Sequence, residues 1–213
     1  MRLLENRFER EMRRAHLVAR MLFHEVRTGT IAAWTGASHE QVRKIARSTW
    51  ETPSGRAQVR HRGQSPKQLA YFFRSALIGS HAAVLGFLFE HTGALPHEER
   101  AVPEKIFRCV SRAEQLCEAF DAYRAMLGEP VIPFEYAVLL LTSLAFTREL
   151  SLDTCENCGG LWILDRLGRP KTRCAHCRAS ASKLEPRASN SATLRNRLLA
   201  LHPVQLNLFD NGP

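Results

Sequence analysis

The sequence CENCGGLWILDRLGRPKTRCAHC, residues 155–177, contains two Cys-x2-Cys pairs separated by fifteen residues. This spacing is typical of a four-thiolate zinc site, because two residues between paired cysteines let a tight turn direct both sulfurs at one ion. Gly159 and Gly160 follow the first pair, where the backbone has to turn beneath the metal without a Cβ clash. The spacing therefore predicts one zinc ion bound by Cys155, Cys158, Cys174 and Cys177.

The residues between the two pairs indicate how the module folds. LWIL is a strand signal, DRLGRP a turn and KTR a return strand, which together predict a zinc-ribbon-like hairpin. Four thiolates complete a tetrahedron and leave no position for a substrate water, so we expect the zinc to be structural. A redox Cys-x-x-Cys pair and an iron–sulfur site are the alternatives. Neither the sequence setting nor the cysteine spacing favours them.

Cysteine usage and hydropathy predict a cytoplasmic protein. Six cysteines among 213 residues point to metal binding rather than disulfides, and the N-terminus has no apolar signal core. The longest apolar run, residues 137–145, is too short to cross a bilayer. The other two cysteines, Cys109 and Cys117, are eight residues apart on one face of a predicted helix, where we expect buried thiols.

The net charge of +9 is unevenly distributed along the chain. Residues 39–68 hold seven Lys/Arg against two Asp/Glu, and residues 155–200 hold nine against three. Residues 90–153 between them hold six against eleven. Basic blocks are the expected footprint of phosphate binding, although basic charge can also serve solubility alone. The acidic middle is interpreted as a surface for a protein partner, since it would repel DNA.

Hydrophobic periodicity predicts a mainly α-helical fold with a small C-terminal zinc-ribbon-like module. The predicted helices span residues 2–27 (stopped by Gly29), 30–34, 39–49, a stretch capped by Ser65 and ending at Gly93, 103–128 and 134–150. The predicted organisation is an N-terminal helical segment (1–52), a partner-binding helical body (53–150), the four-cysteine zinc-ribbon-like module (151–182) and a basic tail (183–213).

Residues 28–47, TGTIAAWTGASHEQVRKIAR, match a helix-turn-helix. Ala32 is the small residue where the two helices touch, and Gly36 allows the positive φ of the turn. Val42 and Ile45 supply apolar positions that pack the second helix into the core of the motif, and a capping box at Ser38 starts that helix. An ordinary helical hairpin with a solvated basic face is the alternative.

A DNA-reading role would place the outward residues of the second helix in the major groove. Basic residues of the loop and of the cysteine module are further candidates for phosphate contact. The predicted DNA-binding residues are Ser38, His39, Glu40, Arg43, Lys44, Arg47, Arg60, Arg62, Arg173 and Arg178.

The order of these motifs resembles the FlhC family, the flagellar master transcriptional activator subunit of proteobacteria. The resemblance covers residues 15–180 and is carried by TGASHEQVRKIARSTWE (35–51), GQSPKQLAYFF (63–73), FLFEHTG (87–93) and TRELSLDTCENCGGLWILDRLGRPKTRCAHC (147–177). It implies zinc at the four cysteines, double-stranded DNA contact, a hetero-oligomer with a FlhD-like subunit, and recruitment of RNA polymerase at flagellar promoters. Residues 54–66 carry arginines where the family's loop is commonly proline-rich. A diverged paralogue that regulates other genes would show the same residues.

Two other functions fit parts of the sequence. A zinc-ribbon DNA-docking accessory of a nuclease or recombination enzyme would share the basic module, and an assembly protein would use the ribbon between subunits. We expect no catalytic activity in this chain, since no paired carboxylates, phosphate-binding glycine loop or nucleophile–base motif is present. Residues 205–209, QLNLF, are similar to peptides that dock on the replication sliding clamp, which makes this tail segment a candidate contact.

Overall fold

The computed structural model of the protein describes residues 6–50, 63–95, 104–147, 149–168 and 172–184, and it is mainly α-helical. The chain divides into two compact units, residues 1–175 and residues 176–213. The helices are α1 (Arg7–Phe23), α2 (Thr28–Thr35), α3 (His39–Trp50), α4 (Ala76–His91), α5 (Glu104–Phe107), α6 (Val110–Leu127), α7 (Phe134–Thr142) and α8 (Ala175–Leu184). A 3₁₀ helix spans Leu69–Phe73, a π-helical turn spans Ser143–Thr147, and the strands are β1 (Leu150–Thr154) and β2 (Leu161–Asp165).

Helix α1 starts at a capping box and ends earlier than the sequence predicts. The Asn6 side chain accepts from the Phe8 amide at 3.3 Å, and the Glu9 carboxylate accepts from the Asn6 amide at 3.0 Å. The predicted end near residue 27 is wrong, because Glu25 adopts a φ of +60° and takes the chain out of the helix. Gly29 does not stop α1 but lies inside α2.

Helices α2 and α3 confirm the predicted bounds to within two residues. Gly36 closes α2 in the left-handed conformation with a φ of +69°, which a residue with a Cβ adopts only with strain. The predicted capping box is formed: the Gln41 amide donates to Ser38 Oγ at 3.1 Å, and the Ser38 amide donates to Gln41 Oε1 at 2.8 Å. Ile31 and Val42 are buried together with Trp34 in the core.

The helix predicted from Ser65 begins ten residues later. Residues 63–68 are not helical, and the N-cap of α4 is Ser75, whose hydroxyl accepts from the Ile78 amide at 3.2 Å. The hydroxyl of Ser65 lies 3.0 Å from Thr30 Oγ1 instead. The Ser65 side chain therefore makes a tertiary contact and does not cap a helix, which is the role that the local pattern predicted.

Two predicted long helices are interrupted. The stretch predicted to run to Gly128 breaks at Arg108 and Cys109, so that Cys109 is the exposed N-cap of α6 rather than a buried thiol. Cys117 is fully buried, as predicted. The helix predicted to reach Leu150 ends at Thr142 and continues as the π-helical turn, and Leu150 begins β1.

The core lies between α1, α4, α6 and α7. Arg13 Nε donates to Glu114 Oε1 at 2.7 Å and Arg20 Nε to Asp121 Oδ2 at 2.9 Å, and the partners of each pair differ by 101 in residue number. The equal offset shows that α1 and α6 run parallel, side by side. Helix α4 packs against α6, α7 and both strands. The largest fully buried side chains include Trp34, Tyr123, Phe72, Phe89, Phe107, Leu85 and Leu140.

The predicted strand pairing is wrong. Strand β2 contains LWIL as predicted, but its antiparallel partner is β1 upstream, with Leu152 opposite Ile163 and Thr154 opposite Leu161. Thr172 and Arg173, from the predicted return strand, are not in a strand, and Lys171 lies outside the described residues. The first cysteine pair therefore sits in the β1–β2 connection rather than at the open end of a hairpin.

No helix in the described parts of the chain has the length and apolar character needed to cross a bilayer.

Candidate metal centre

The first cysteine pair lies in the tight turn between β1 and β2. Thr154 ends β1, the Cys155 amide donates to the Gly160 carbonyl at 2.9 Å, and the Gly159 amide donates to the Cys155 carbonyl at 2.8 Å. Gly159 has a φ of +68°, the left-handed conformation that favours glycine. The turn is thus closed by its own backbone, which fixes the positions of both cysteines.

The second pair reaches the first through the segment that precedes α8. The Glu156 amide donates to the Thr172 carbonyl at 3.1 Å, and the Cys174 amide donates to the Cys155 sulfur at 3.3 Å. Cys174 immediately precedes α8 and Cys177 lies in its first turn. The backbone of the second pair therefore contacts the thiol of the first and helps to orient it.

The four sulfur atoms form one cluster. The sulfurs of Cys155, Cys158, Cys174 and Cys177 all lie within 4.8 Å of one another, and those of Cys158 and Cys174 are 3.9 Å apart. A tetrahedral zinc ion with bonds of about 2.3 Å would place its ligands about 3.8 Å apart. The donor set and its spacing fit a metal ion such as zinc, as the sequence predicts.

Local hydrogen bonding favours the ligand form of one thiol. The N–H groups that donate to Cys155, first among them the amide of Cys174, lower the pKa of its thiol to about 6, although burial opposes the shift. A thiolate is the form that binds a metal, and a proton must otherwise be displaced. Cys155 is therefore prepared as a ligand by the backbone of the second pair.

The strands attach the first cysteine pair to the helical core through Gly86 in α4. A Cβ at residue 86 would lie 3.0 Å from Cδ1 of Leu152 and 3.6 Å from Cδ1 of Ile163, the cross-strand pair on this face of the sheet. Leu150 and Ile163 belong to the main core. The cysteine-bearing turn is thus held by a sheet that packs directly against a helix backbone.

We expect the Gly86→Val substitution to destabilise the protein by about 2 kcal/mol, because the added methyls have no room between α4 and the sheet. Urea unfolding followed by circular dichroism measures the change. Gly29→Val is the matched control, since a Cβ at Gly29 in α2 has no atom within 4 Å. Equal stability of the two valine variants would contradict the packing argument.

The predicted DNA-binding residues of α3 lie on its solvent side. The side chains exposed there are Ser38, His39, Glu40, Arg43, Lys44 and Arg47. Arg173, next to Cys174, is exposed, and Arg178 on α8 is exposed as well. Arg60 and Arg62 lie outside the described residues, as do Arg169 and the tail segment 205–209.

Two residues that position these groups are not predicted from the sequence. Leu152 belongs to LSLDT, whose alternation of apolar and polar residues is a strand signal that the preceding helical pattern obscured. Glu135 is buried, and its carboxylate accepts from the Arg27 amide at 2.8 Å and from the Thr30 hydroxyl at 3.1 Å. No local pattern marks a buried carboxylate whose partners are more than a hundred residues away.

No protein-family model matches the chain, and a search of curated proteins finds no match.

Proposed function

We propose that this chain is a DNA-binding transcriptional regulator subunit of the FlhC type, held together at its C-terminal side by one structural zinc ion. The observation that carries the proposal is the exposed basic side of α3. Arg43, Lys44 and Arg47 are all exposed, whereas the neighbouring Val42 and Ala46 are buried. One side of α3 thus packs in the core, and the other exposes three positively charged side chains.

The chemistry of this side suits a DNA duplex. Residues 43, 44 and 47 are adjacent or one helical turn apart, so their side chains can reach neighbouring phosphates or guanine edges along a groove. Glu40, one turn earlier, can accept a hydrogen bond from a cytosine amine. Because Val42 and Ala46 are buried, α3 packs against the core of the protein and does not extend as a free segment.

Helix α2 and the turn hold α3 in place. The Thr35 hydroxyl donates to the Ile31 carbonyl at 2.8 Å and accepts from the Ala37 amide at 3.2 Å, which closes the turn from within. At the other end of α2, the buried Glu135 carboxylate caps the helix from α7 through Arg27 and Thr30. This anchoring supports a reading head fixed on the helical body.

The zinc assignment rests on the donor set. Four clustered thiols that leave no ligand position for water suit structural zinc, whose binding stabilises folding. The β1–β2 turn and the segment around Thr172 meet at the sulfur cluster, where the Glu156 amide donates to the Thr172 carbonyl and the Cys174 amide to the Cys155 sulfur. We infer that the metal joins these two segments.

Assembly with a partner extends the proposal. The sequence resemblance supports a FlhD-like subunit and contact with RNA polymerase, and the excess of acidic residues between 90 and 153 supports a protein-binding rather than a DNA-binding middle. Co-expression with the product of a neighbouring reading frame tests the partner: a chain that stays monomeric and binds specific DNA alone argues against an obligatory subunit.

We expect the double substitution Arg43→Ala/Arg47→Ala to weaken binding to a mixed-sequence DNA duplex at least about tenfold. It should also reduce the slope of log affinity against log salt by about 2, because each lost phosphate contact removes about 1. Fluorescence anisotropy over a salt series measures both quantities.

The matched control is Arg7→Ala/Arg10→Ala, which removes the same two charges from the exposed side of α1. Unchanged affinity of the folded α3 variant would refute the assignment of α3 as the reading helix. A wild-type protein whose weak DNA affinity has no salt dependence would favour the assembly-protein alternative.

A further inference from the structure

The four clustered cysteines differ in their access to solvent. Cys155 and Cys177 are buried, Cys174 is half-buried and Cys158 is exposed. The residues on either side of Cys158, from Glu156 to Gly160, are exposed as well. A solute that reacts with thiolates therefore meets Cys158 first.

A second thiol lies within reach of Cys158. Its sulfur is 3.9 Å from that of Cys174, so closing a disulfide of about 2 Å requires the two sulfurs to approach by about 2 Å. Cys155 is less suited as the partner because it is buried and its sulfur accepts the Cys174 amide. The geometry favours a bond between the two cysteine pairs rather than within the first pair.

We propose that Cys158 and Cys174 form a peroxide-sensitive pair, whose oxidation to a disulfide releases the metal. This inference rests on the proposed metal centre, since only a loaded cluster has a metal to release.

The reaction balances with a hydroperoxide as the oxidant. The Cys158 thiolate attacks one peroxide oxygen, the O–O bond breaks, and hydroxide leaves while Cys158 becomes a sulfenic acid. The Cys174 thiolate then attacks that sulfur, the S–S bond forms, the S–O bond breaks, and a second hydroxide leaves. Both hydroxides take up protons to give water. The two thiolates are oxidised by two electrons, the peroxide is reduced, and the ion loses two of its four ligands.

Gly160 keeps the reactive sulfur open on one side. A Cβ at this residue would lie 3.4 Å from the Cys158 sulfur, in direct contact with it. Gly160 does not have a positive φ, so alanine fits its backbone without strain. The substitution Gly160→Ala can therefore cover part of the sulfur without removing a ligand.

The other two cysteines provide internal controls. Burial raises the pKa of the Cys117 thiol to about 12, so at neutral pH it is a protonated, inaccessible thiol. Cys109 is exposed but lies at the N-cap of α6, outside the four-thiol cluster. We expect peroxide to leave Cys117 unmodified and Cys109 without a disulfide inside the same chain.

The test uses the full chain, reduced and loaded with zinc. Zinc content is measured first, and a reduced chain that binds no zinc refutes the proposed metal centre itself. Hydrogen peroxide is then added, zinc release is followed with a chromogenic chelator, and disulfides are mapped by peptide mass spectrometry. We expect one zinc per chain to be released together with a Cys158–Cys174 disulfide, and a thiol reductant with added zinc to restore the loaded protein.

Two variants sharpen the result. Gly160→Ala should bind the same amount of zinc and release it several-fold more slowly, whereas Cys109→Ser should release it at the wild-type rate. Zinc that binds but stays bound after peroxide, a disulfide between Cys155 and Cys158, or release from Gly160→Ala at the wild-type rate each overturns the inference.

Discussion

The substitution Cys155→Ser is expected to abolish stoichiometric zinc binding and to unfold residues 155–160 and 172–177, while α1–α7 and the β1–β2 sheet stay folded. Cys155 is the buried ligand whose sulfur receives the Cys174 amide, so its loss removes both a metal bond and the direct contact between the two cysteine pairs. Zinc binding contributes about 10–16 kcal/mol to the folding of small zinc modules, far more than the remaining hydrogen bonds of these turns.

We expect the loss of structure not to extend into the β1–β2 sheet. Leu150 and Ile163 belong to the main core, and Leu152 packs on the backbone of α4 at Gly86. Zinc content by elemental analysis, amide hydrogen exchange in residues 155–160 and 172–177, and helical circular dichroism measure the three parts of the prediction. Cys109→Ser is the matched control, because it removes an exposed thiol outside the cluster. A Cys155→Ser chain that still holds one zinc, or that loses zinc while residues 155–160 and 172–177 stay protected from exchange, would show that the metal is not structural.

The clustering of the four cysteines could be predicted from the sequence because the pattern that specifies it is local. Two residues between paired cysteines, followed by Gly159 and Gly160, specify a metal-binding turn without knowledge of the rest of the chain. The start of α3 was predictable for the same reason, since Ser38 and Gln41 satisfy each other's backbone amides within one helical turn.

The predictions that were wrong concern features that depend on contacts between residues distant in the sequence. The partner of β2 lies upstream rather than downstream, because Leu152 and Ile163 must both face α4, and the spacing of cysteines carries no information on that packing. Ser65 has the signature of an N-cap, yet its hydroxyl lies against Thr30. Local signals thus identified the site, and tertiary packing decided which segments support it.

The buried histidine at the end of α1 makes stability depend on pH. His24 is stacked on Phe134 with ring centroids 5.1 Å apart and meets Phe120 edge-on at 5.2 Å. Burial lowers the pKa of His24 from 6.5 to about 4; Asp121 opposes the shift, and Arg124 and Arg20 add to it. The Nε2 atom of His24 is 3.0 Å from Asp121 Oδ1. Arg20 donates to the same carboxylate, and its positive charge reduces the attraction between Asp121 and a histidine cation.

The sign of the effect follows from the direction of the shift. Above about pH 6.5 the histidine is neutral in both folded and unfolded chains, and the group contributes no pH dependence. As the pH falls from 6.5 towards 4, the unfolded chain binds a proton that the folded chain excludes, so the free energy of unfolding falls. A shift of this size corresponds to a loss of about 3 kcal/mol across that window.

We expect His24→Phe to remove this acid-dependent loss, because a phenyl ring keeps the stacking and binds no proton. Urea unfolding of wild-type protein and variant at a series of pH values across the window measures the difference. Acid also weakens zinc binding, and comparing two proteins with the same cysteines at each pH cancels that contribution. His39→Gln, which removes an exposed histidine from α3, is the control and should follow the wild-type curve. If His24→Phe loses as much stability as wild type between pH 6.5 and 4, His24 is not the group that couples folding to acid, and the acid sensitivity of the fold lies elsewhere.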